Sequence, residues 1–186
     1  MNVYDFDHTI YDGDCTLDFF FYCLAKYPKA ILSLPYSCLI FMAYKFHFYE
    51  CENFKEVFYR FLRYIPNVEG AVKEFWNHHE HKIKDWYLAK KKKTDIVISA
   101  SPEFLLEHIC KQLNVKCIAS KVNPMTGKLE SRNCKGKEKV ERFLAEYPTT
   151  KKIDKFFSDS LSDICLAQIA QDAYLVHGNM IDKWEF

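Results

Sequence analysis

Runs of apolar residues and amphipathic stretches divide the 186-residue chain into two regimes. Asn2–Phe6 (NVYDF) has the pattern of a short buried strand, and an aspartate-rich polar turn follows from Asp7 to Asp14. No β signal then appears before Thr94. Residues 16–28, 29–49, 52–65 and 70–93 are predicted to be helical, with Pro28, Pro35 and Pro66 at boundaries or a kink. In the last of these, Val72, Phe75, Trp76, His79, Ile83 and Trp86 recur at three- and four-residue spacings, which predicts one continuous helix with an apolar face.

From Thr94 the rhythm changes. DIVIS (95–99) is the compact β-branched run of a buried parallel strand. Ser101-Pro102-Glu103 then predicts a helix start, with Ser101 as N-cap, proline at the first helical position and an acid at the positive helix end. That helix extends to about Leu113, and VKCIAS (115–120) follows as a strand. Asn123–Gly127 is turn chemistry inside a hairpin. A helix over 136–147 is stopped by Pro148, a strand occupies 152–158, a helix 161–171, and AYLVH (173–177) is the last strand.

Alternating strands and helices over 94–177 predict an α/β fold, a Rossmann-like parallel sheet with helices on its faces. Strand 2–6 joins the same sheet. Residues 1–13 and 91–186 then form the α/β core, and residues 14–90 are a helical insertion. In such sheets chemistry gathers at the carboxyl ends of the strands.

Composition narrows the partners. With 26 Lys and Arg against 25 Asp and Glu, the net charge of +1 offers no electrostatic case for nucleic acid. The longest uncharged stretch, Ala30–Tyr44, has 15 residues and contains Pro35, short of the roughly 20 needed to span a bilayer. It predicts a buried helix, with peripheral contact at a membrane surface as the other reading and no integral span. Asp5 and Asp7 interrupt the N-terminus too early for a signal peptide. Eight cysteines without a C-x-x-C pair suit scattered reduced thiols and a cytoplasmic location. The sequence specifies no oligomeric state. Aromatic residues are skewed: 19 of the 31 lie in residues 1–65, most of them in the insertion.

Four polar clusters fall at strand ends. Asp5 and Asp7 project the same way from a strand. Asp159 and Asp163, four residues apart, also follow an apolar strand. Four acids converging on one rim repel each other unless a cation sits among them, and hard oxygen donors favour Mg²⁺. Ser99 ends DIVIS just before a helix N-terminus, where a hydroxyl and backbone N–H groups suit an anion. Lys135, Lys137 and Lys139 could neutralise a phosphoryl group. By contrast, His78-His79-Glu80-His81 diverge in direction on a helix and do not suggest a metal site.

Together, and in this order, the clusters resemble the haloacid dehalogenase superfamily. Its pattern is DxDxT, a Ser or Thr after an apolar strand, a Lys, and a strand-end Asp pair. Here these are Asp5-Phe6-Asp7-His8-Thr9, Ser99, the lysine cluster and Asp159–Asp163. The insertion is similar to the helical C1 cap of the phosphoserine phosphatase-like branch (subfamily IB), as are I-S-A-S-P-E-F and N-C-x-G-x-E-K-V.

The resemblance implies a Mg²⁺-dependent phosphomonoesterase acting on a small phosphorylated metabolite. Asp5 would be the nucleophile, Asp7 the acid and base, and Thr9 would orient the loop. Ser99 and a lysine, Lys139 or Lys135, would hold phosphoryl oxygens. Asp5, the Asp7 carbonyl, Asp159 and Asp163 would bind the metal. Asp14, Ser101, Ser160 and a cap arginine, Arg60 or Arg63, are candidates to contact substrate. An acid at Asp7 favours phosphoester hydrolysis over dehalogenation, because an alkoxide needs a proton and a halide does not.

Two departures weaken phosphoserine itself as substrate. The family's Ser-Gly-Gly is Ser99-Ala100-Ser101 here, and its substrate-facing glutamate is Asp14. Other readings are hydrolysis of a lipid head group such as phosphatidylglycerophosphate at the membrane surface, phosphoryl transfer to an acceptor other than water, and a catalytically silent ligand-binding module.

Overall fold

The computed structural model describes residues 1–33, 35, 51–149 and 152–185. Its centre is a six-stranded sheet in the order β3-β2-β1-β4-β5-β6. The strands are β1 (Asn2–Tyr4), β2 (Ile96–Pro102), β3 (Lys116–Ser120), β4 (Ile153–Ser158), β5 (Ala170–His177) and β6 (Met180–Lys183). β1 lies between β2 and β4 and is parallel to both, with Tyr4 opposite Val97 and Phe157. Only β6 runs antiparallel, as a hairpin with β5. The α/β architecture expected from the strand–helix alternation is the one observed.

Between β1 and β2 the chain forms α1 (Cys15–Lys26), α2 (Cys51–Phe58), α3 (Val68–His79) and α4 (Asp85–Lys90). Between these α-helices run 3₁₀ turns at Pro28–Ser33, Tyr59–Tyr64 and Glu80–Lys82. The later crossovers carry α5 (Glu103–Leu113), α6 (Lys137–Glu146) and the single turn α7 (Ile164–Ala167).

Alternation along the strands sends side chains to two cores. Tyr4, Val97, Ala119, Phe157 and Val176 point to one face and pack with α5 and the inserted helices. Val3, Ile96, Ile98, Ile118, Phe156 and Ala173 point to the other, with Phe143 of α6 and Leu166 of α7. Among the described residues, most aromatics of residues 1–65 sit in the first core. Trp76 of α3 meets Phe6 and Tyr11 edge-on at 5.9 and 5.6 Å, and its indole N–H donates to the Leu105 carbonyl at 2.7 Å.

Several elements differ from the expectation. The helix predicted over 70–93 is interrupted. Val72, Phe75 and Trp76 are buried on α3 as expected, but Ile83 leaves the helix and bridges Tyr11 in antiparallel fashion. Asp12 N–H donates to Lys82 O at 2.8 Å and Lys84 N–H to Ile10 O at 2.9 Å, so backbone pairing displaces helical continuity there. β2 does not end at Ser99 but continues, with a register irregularity, to Pro102. Ser101 is therefore not a helix cap: proline restricts the residue before it to extended backbone, and α5 begins at Glu103.

The 161–171 helix contracts to a 3₁₀ turn at Leu161–Asp163 and α7, because β5 already starts at Ala170. β6 was not anticipated, although Gly178-Asn179 between two apolar runs is a two-residue hairpin signal, and Gly178 has φ +62°. Most of the predicted 29–49 helix, and of Ala30–Tyr44, lies outside the described residues. Among those described, no helix is long and apolar enough to cross a membrane, and six cysteines are free thiols.

Candidate active site

β1 ends at Tyr4, which places Asp5 at the carboxyl edge of the central strand. Its N–H is held by Phe157 O at 2.8 Å, so the Asp5 backbone is locked to β4. The chain then turns sharply: Thr9, Ile10 and Tyr11 N–H all donate to Phe6 O, and His8 takes a left-handed φ of +56°. That turn puts Thr9 beneath the β4 loop, where its hydroxyl accepts the Asp159 N–H at 3.0 Å. The motif loop and the strand-end acid pair are thus joined directly.

A cavity of about 310 Å³ opens at this sheet edge. Asp5, Asp7, Ser99, Lys139, Asp159 and Asp163 line it, and so do Asp14, Ser101, Lys135 and Ser160. Of the predicted site residues, Thr9 lies beneath the pocket rather than in its wall. Arg60 is exposed and is not among the pocket residues, while Arg63 donates to Thr126 O at 3.1 Å. The 3₁₀ winding of Tyr59–Tyr64 turns these two away from the cavity while delivering Tyr59 into it.

The two lysine candidates separate cleanly. Lys139, in the first turn of α6, is buried and donates to Asp5 Oδ1 at 2.8 Å and Asp163 Oδ2 at 2.7 Å. Lys135 is exposed at the pocket's edge. Burial works against the Lys139 ammonium, but Asp5 and Asp163 hold its pKa above the ordinary lysine value. Asp5 is pushed up to about 7, first by burial, with Lys139 opposing. Asp7 is also raised, by burial and then by Asp14. Its Oδ1 accepts the Cys15 N–H at 2.7 Å, and its Oδ2 accepts the Ser101 hydroxyl.

Ser99 is buried, and its Oγ accepts the Ser101 N–H at 3.0 Å. Asp14 is the N-cap of α1, its Oδ1 accepting Thr16 and Leu17 N–H at 2.9 and 3.0 Å. Ser160 caps the 3₁₀ turn that carries Asp163. Asp163 Oδ1 is buried with no hydrogen-bond partner. Among the described residues, no three His, Cys, Asp or Glu side chains are arrayed as a ready-made metal cage. The oxygen donors that line the pocket nonetheless suit Mg²⁺, which is bound through one or two carboxylates and keeps several waters. An orphaned buried carboxylate oxygen beside them is consistent with a cation completing the set.

Two lysines escaped the sequence reading. Lys55 of α2 reaches the strand ends from the insertion and donates to Ala100 O and Asn133 Oδ1, both at 2.8 Å. Lys84 is buried, and its ammonium donates to His8 O at 2.6 Å and Gly178 O at 2.7 Å. Neither belongs to a motif; a lysine four residues before Tyr59 or two before Trp86 has no local signature.

Fold and site together define an α/β protein whose carboxylates gather at the carboxyl edge of a mostly parallel sheet. The chain belongs to the haloacid dehalogenase-like hydrolase family, whose model matches residues 3–168. No curated protein matches. Among solved structures, a Bordetella pertussis Tohama I protein of unknown function is similar with TM-score 0.74 at 18% identity, over 93% of this chain and 87% of that one. A probable phosphoserine phosphatase from Vibrio cholerae has TM-score 0.68 at 10% identity, over 92% of this chain and 55% of that one. A phosphoserine phosphatase described as a phospho-aspartyl intermediate analogue has TM-score 0.55 at 14% identity, over 92% and 83%.

Proposed function

We propose that this protein is a Mg²⁺-dependent phosphomonoesterase working through an aspartyl-phosphate, in the manner of the phosphoserine phosphatase-like branch, on a small phosphorylated substrate in the cytoplasm. The observation that carries the reading is the buried Lys139 ammonium bridging Asp5 and Asp163 in the pocket wall. The ammonium opposes the burial that raises Asp5 and so favours the ionised carboxylate that a nucleophile requires. In this reading residues 1–13 and 91–186 are the catalytic core, and residues 14–90 are a cap that shapes the pocket.

In the first step an Asp5 carboxylate oxygen attacks phosphorus and the bond to the leaving oxygen breaks. Asp7, whose raised pKa favours the acid form, donates its proton to that oxygen. In the second step water attacks the same phosphorus and Asp7 takes its proton. The Asp5–phosphorus bond breaks, releasing inorganic phosphate and regenerating both carboxyl groups. Lys139 and Ser99 hold the phosphoryl oxygens, and Thr9 keeps the loop registered against Asp159. Asp5, the Asp7 carbonyl, Asp159 and Asp163 would hold Mg²⁺, which when bound neutralises charge on the transferring group.

The test is hydrolysis of para-nitrophenyl phosphate with and without Mg²⁺, in the native protein and in Asp5→Asn. Magnesium-dependent turnover abolished by Asp5→Asn is the expected result. A folded native protein that releases no phosphate from any ester in a broad panel would refute the reading.

A further inference from the structure

Among the described residues, the insertion contributes four apolar or aromatic side chains to the cavity wall, beside the polar Asp14, Thr16 and Lys55. Leu17 of α1, Phe54 and Phe58 of α2, and Tyr59 line it together with the catalytic carboxylates. Phe58 is braced by Phe20 and Phe61, ring centroids 4.9 and 5.8 Å away, so it is a fixed surface. Leu17 is 44% exposed although it lines the pocket, so part of its apolar surface is open to solvent.

Two polar groups of this wall already have internal partners. The Lys55 ammonium is held by Ala100 O and Asn133 Oδ1. Asp14 Oδ1 is committed to two helix N–H groups, and Arg60 lies outside the pocket. An amino-acid phosphate brings an ammonium and a carboxylate that must exchange water for partners. Along this wall it would meet hydrocarbon, a Lys55 ammonium held by two acceptors and an Asp14 oxygen held by two donors. An apolar leaving group would instead cover surface that water now touches.

We propose that the pocket selects phosphomonoesters whose leaving group presents an apolar body to the wall of Leu17, Phe54, Phe58 and Tyr59. This deepens the phosphatase reading and rests on it. The apolar body could belong to a soluble alkyl or aryl phosphate or to a phospholipid, and the chemistry at the wall is the same for both.

The experiment compares kcat/KM for hexyl phosphate, ethyl phosphate and phosphoserine, all alkyl esters, with Mg²⁺. A fully buried methylene is worth roughly fourfold, so hexyl phosphate should exceed ethyl phosphate by about tenfold or more. Phosphoserine should not exceed ethyl phosphate. Leu17→Asn, at a solvent-open position, should shrink the hexyl-over-ethyl ratio severalfold. Equal rates on hexyl and ethyl phosphate, a preference for phosphoserine, or an unchanged ratio in Leu17→Asn would overturn the proposal.

A parallel arm with phosphatidate in phosphatidylcholine vesicles separates the sources. Faster turnover there assigns the apolar body to a lipid, and faster turnover of hexyl phosphate assigns it to a soluble ester. If no ester turns over at all, the phosphatase reading fails on its own. Calorimetric binding of hexylphosphonate against ethylphosphonate then decides the wall, and equal affinities overturn it.

Discussion

The Lys84 ammonium lies 2.6 Å from the carbonyl oxygen of His8, the residue between Asp7 and Thr9. The same nitrogen reaches Gly178 O in the β5–β6 turn, so one buried cation ties the motif loop to the far hairpin. Its main chain is stitched to the same region through Ile10 O. Lys84→Met leaves two carbonyls without their donor, at a cost of about 1–3 kcal/mol. It should also loosen the Asp5–Thr9 loop and lower kcat roughly tenfold to a hundredfold with KM little changed. Urea unfolding and steady-state kinetics check both, and an unaltered kcat would show that the loop holds without the clamp.

Lys139→Met removes the cation shared by Asp5 and Asp163 while both acids stay buried. Breaking a buried pair from one side typically costs about 3–5 kcal/mol, and if Lys139 holds the phosphoryl group as proposed, its loss should cost about 10²–10³-fold in kcat. Lys135→Met, at an exposed position, should cost far less in both. Denaturation midpoints and turnover of the two variants side by side decide which lysine serves the site.

Ser101→Ala takes away a hydroxyl that donates to Asp7 Oδ2 and favours its ionised form. Burial and Asp14 already raise Asp7, so losing the donor raises it further. In the proposed mechanism the first step needs Asp7 protonated, so the basic limb of the kcat profile should move to higher pH. A pH–rate profile measures this, and a limb that stays in place or moves down contradicts Asp7 as the acid.

Gly127, at φ +73°, lies at the tip of the 123–127 turn, where an added Cβ would meet Tyr59 O at 2.5 Å. The turn also grips the insertion through Arg63, and Glu56 accepts the Leu129 N–H at 3.1 Å. Gly127→Ala combines left-handed strain with a backbone clash and should destabilise by about 1–3 kcal/mol. Because Tyr59 lines the pocket, KM should rise as well. Thermal unfolding with kinetics tests the pair of effects.

Much of the fold was legible because its signals are local. NVYDF, DIVIS, VKCIAS, KIDKFFS and AYLVH announce strands by β-branched and aromatic density, and β1 to β5 overlap these five runs. The motif acids were legible for the same reason: Asp5 and Asp7 follow a strand, as do Asp159 and Asp163. Segments that failed did so where distant backbone competed. Residues 80–84 keep a helical apolar period but pair with Ile10–Asp12 across the fold, and the hydrogen bonds of that pairing outweigh one more helical turn.

The sequence by itself determined which chemical groups exist and on which strand ends they stand, since strand period and motif spacing are properties of neighbouring residues. It also determined the aromatic loading of the insertion, whose described members form both core and pocket wall. Only the tertiary structure decided that Lys139 rather than Lys135 meets Asp5. That outcome depends on where α6 starts relative to a strand more than 130 residues away. It likewise turned Ser101 from a helix cap into the partner of Asp7, and brought Lys55 and Lys84 to the strand ends while leaving Arg60 outside. Long flexible side chains carry no local record of their partners, because the geometry that selects a partner arises only when separate elements pack.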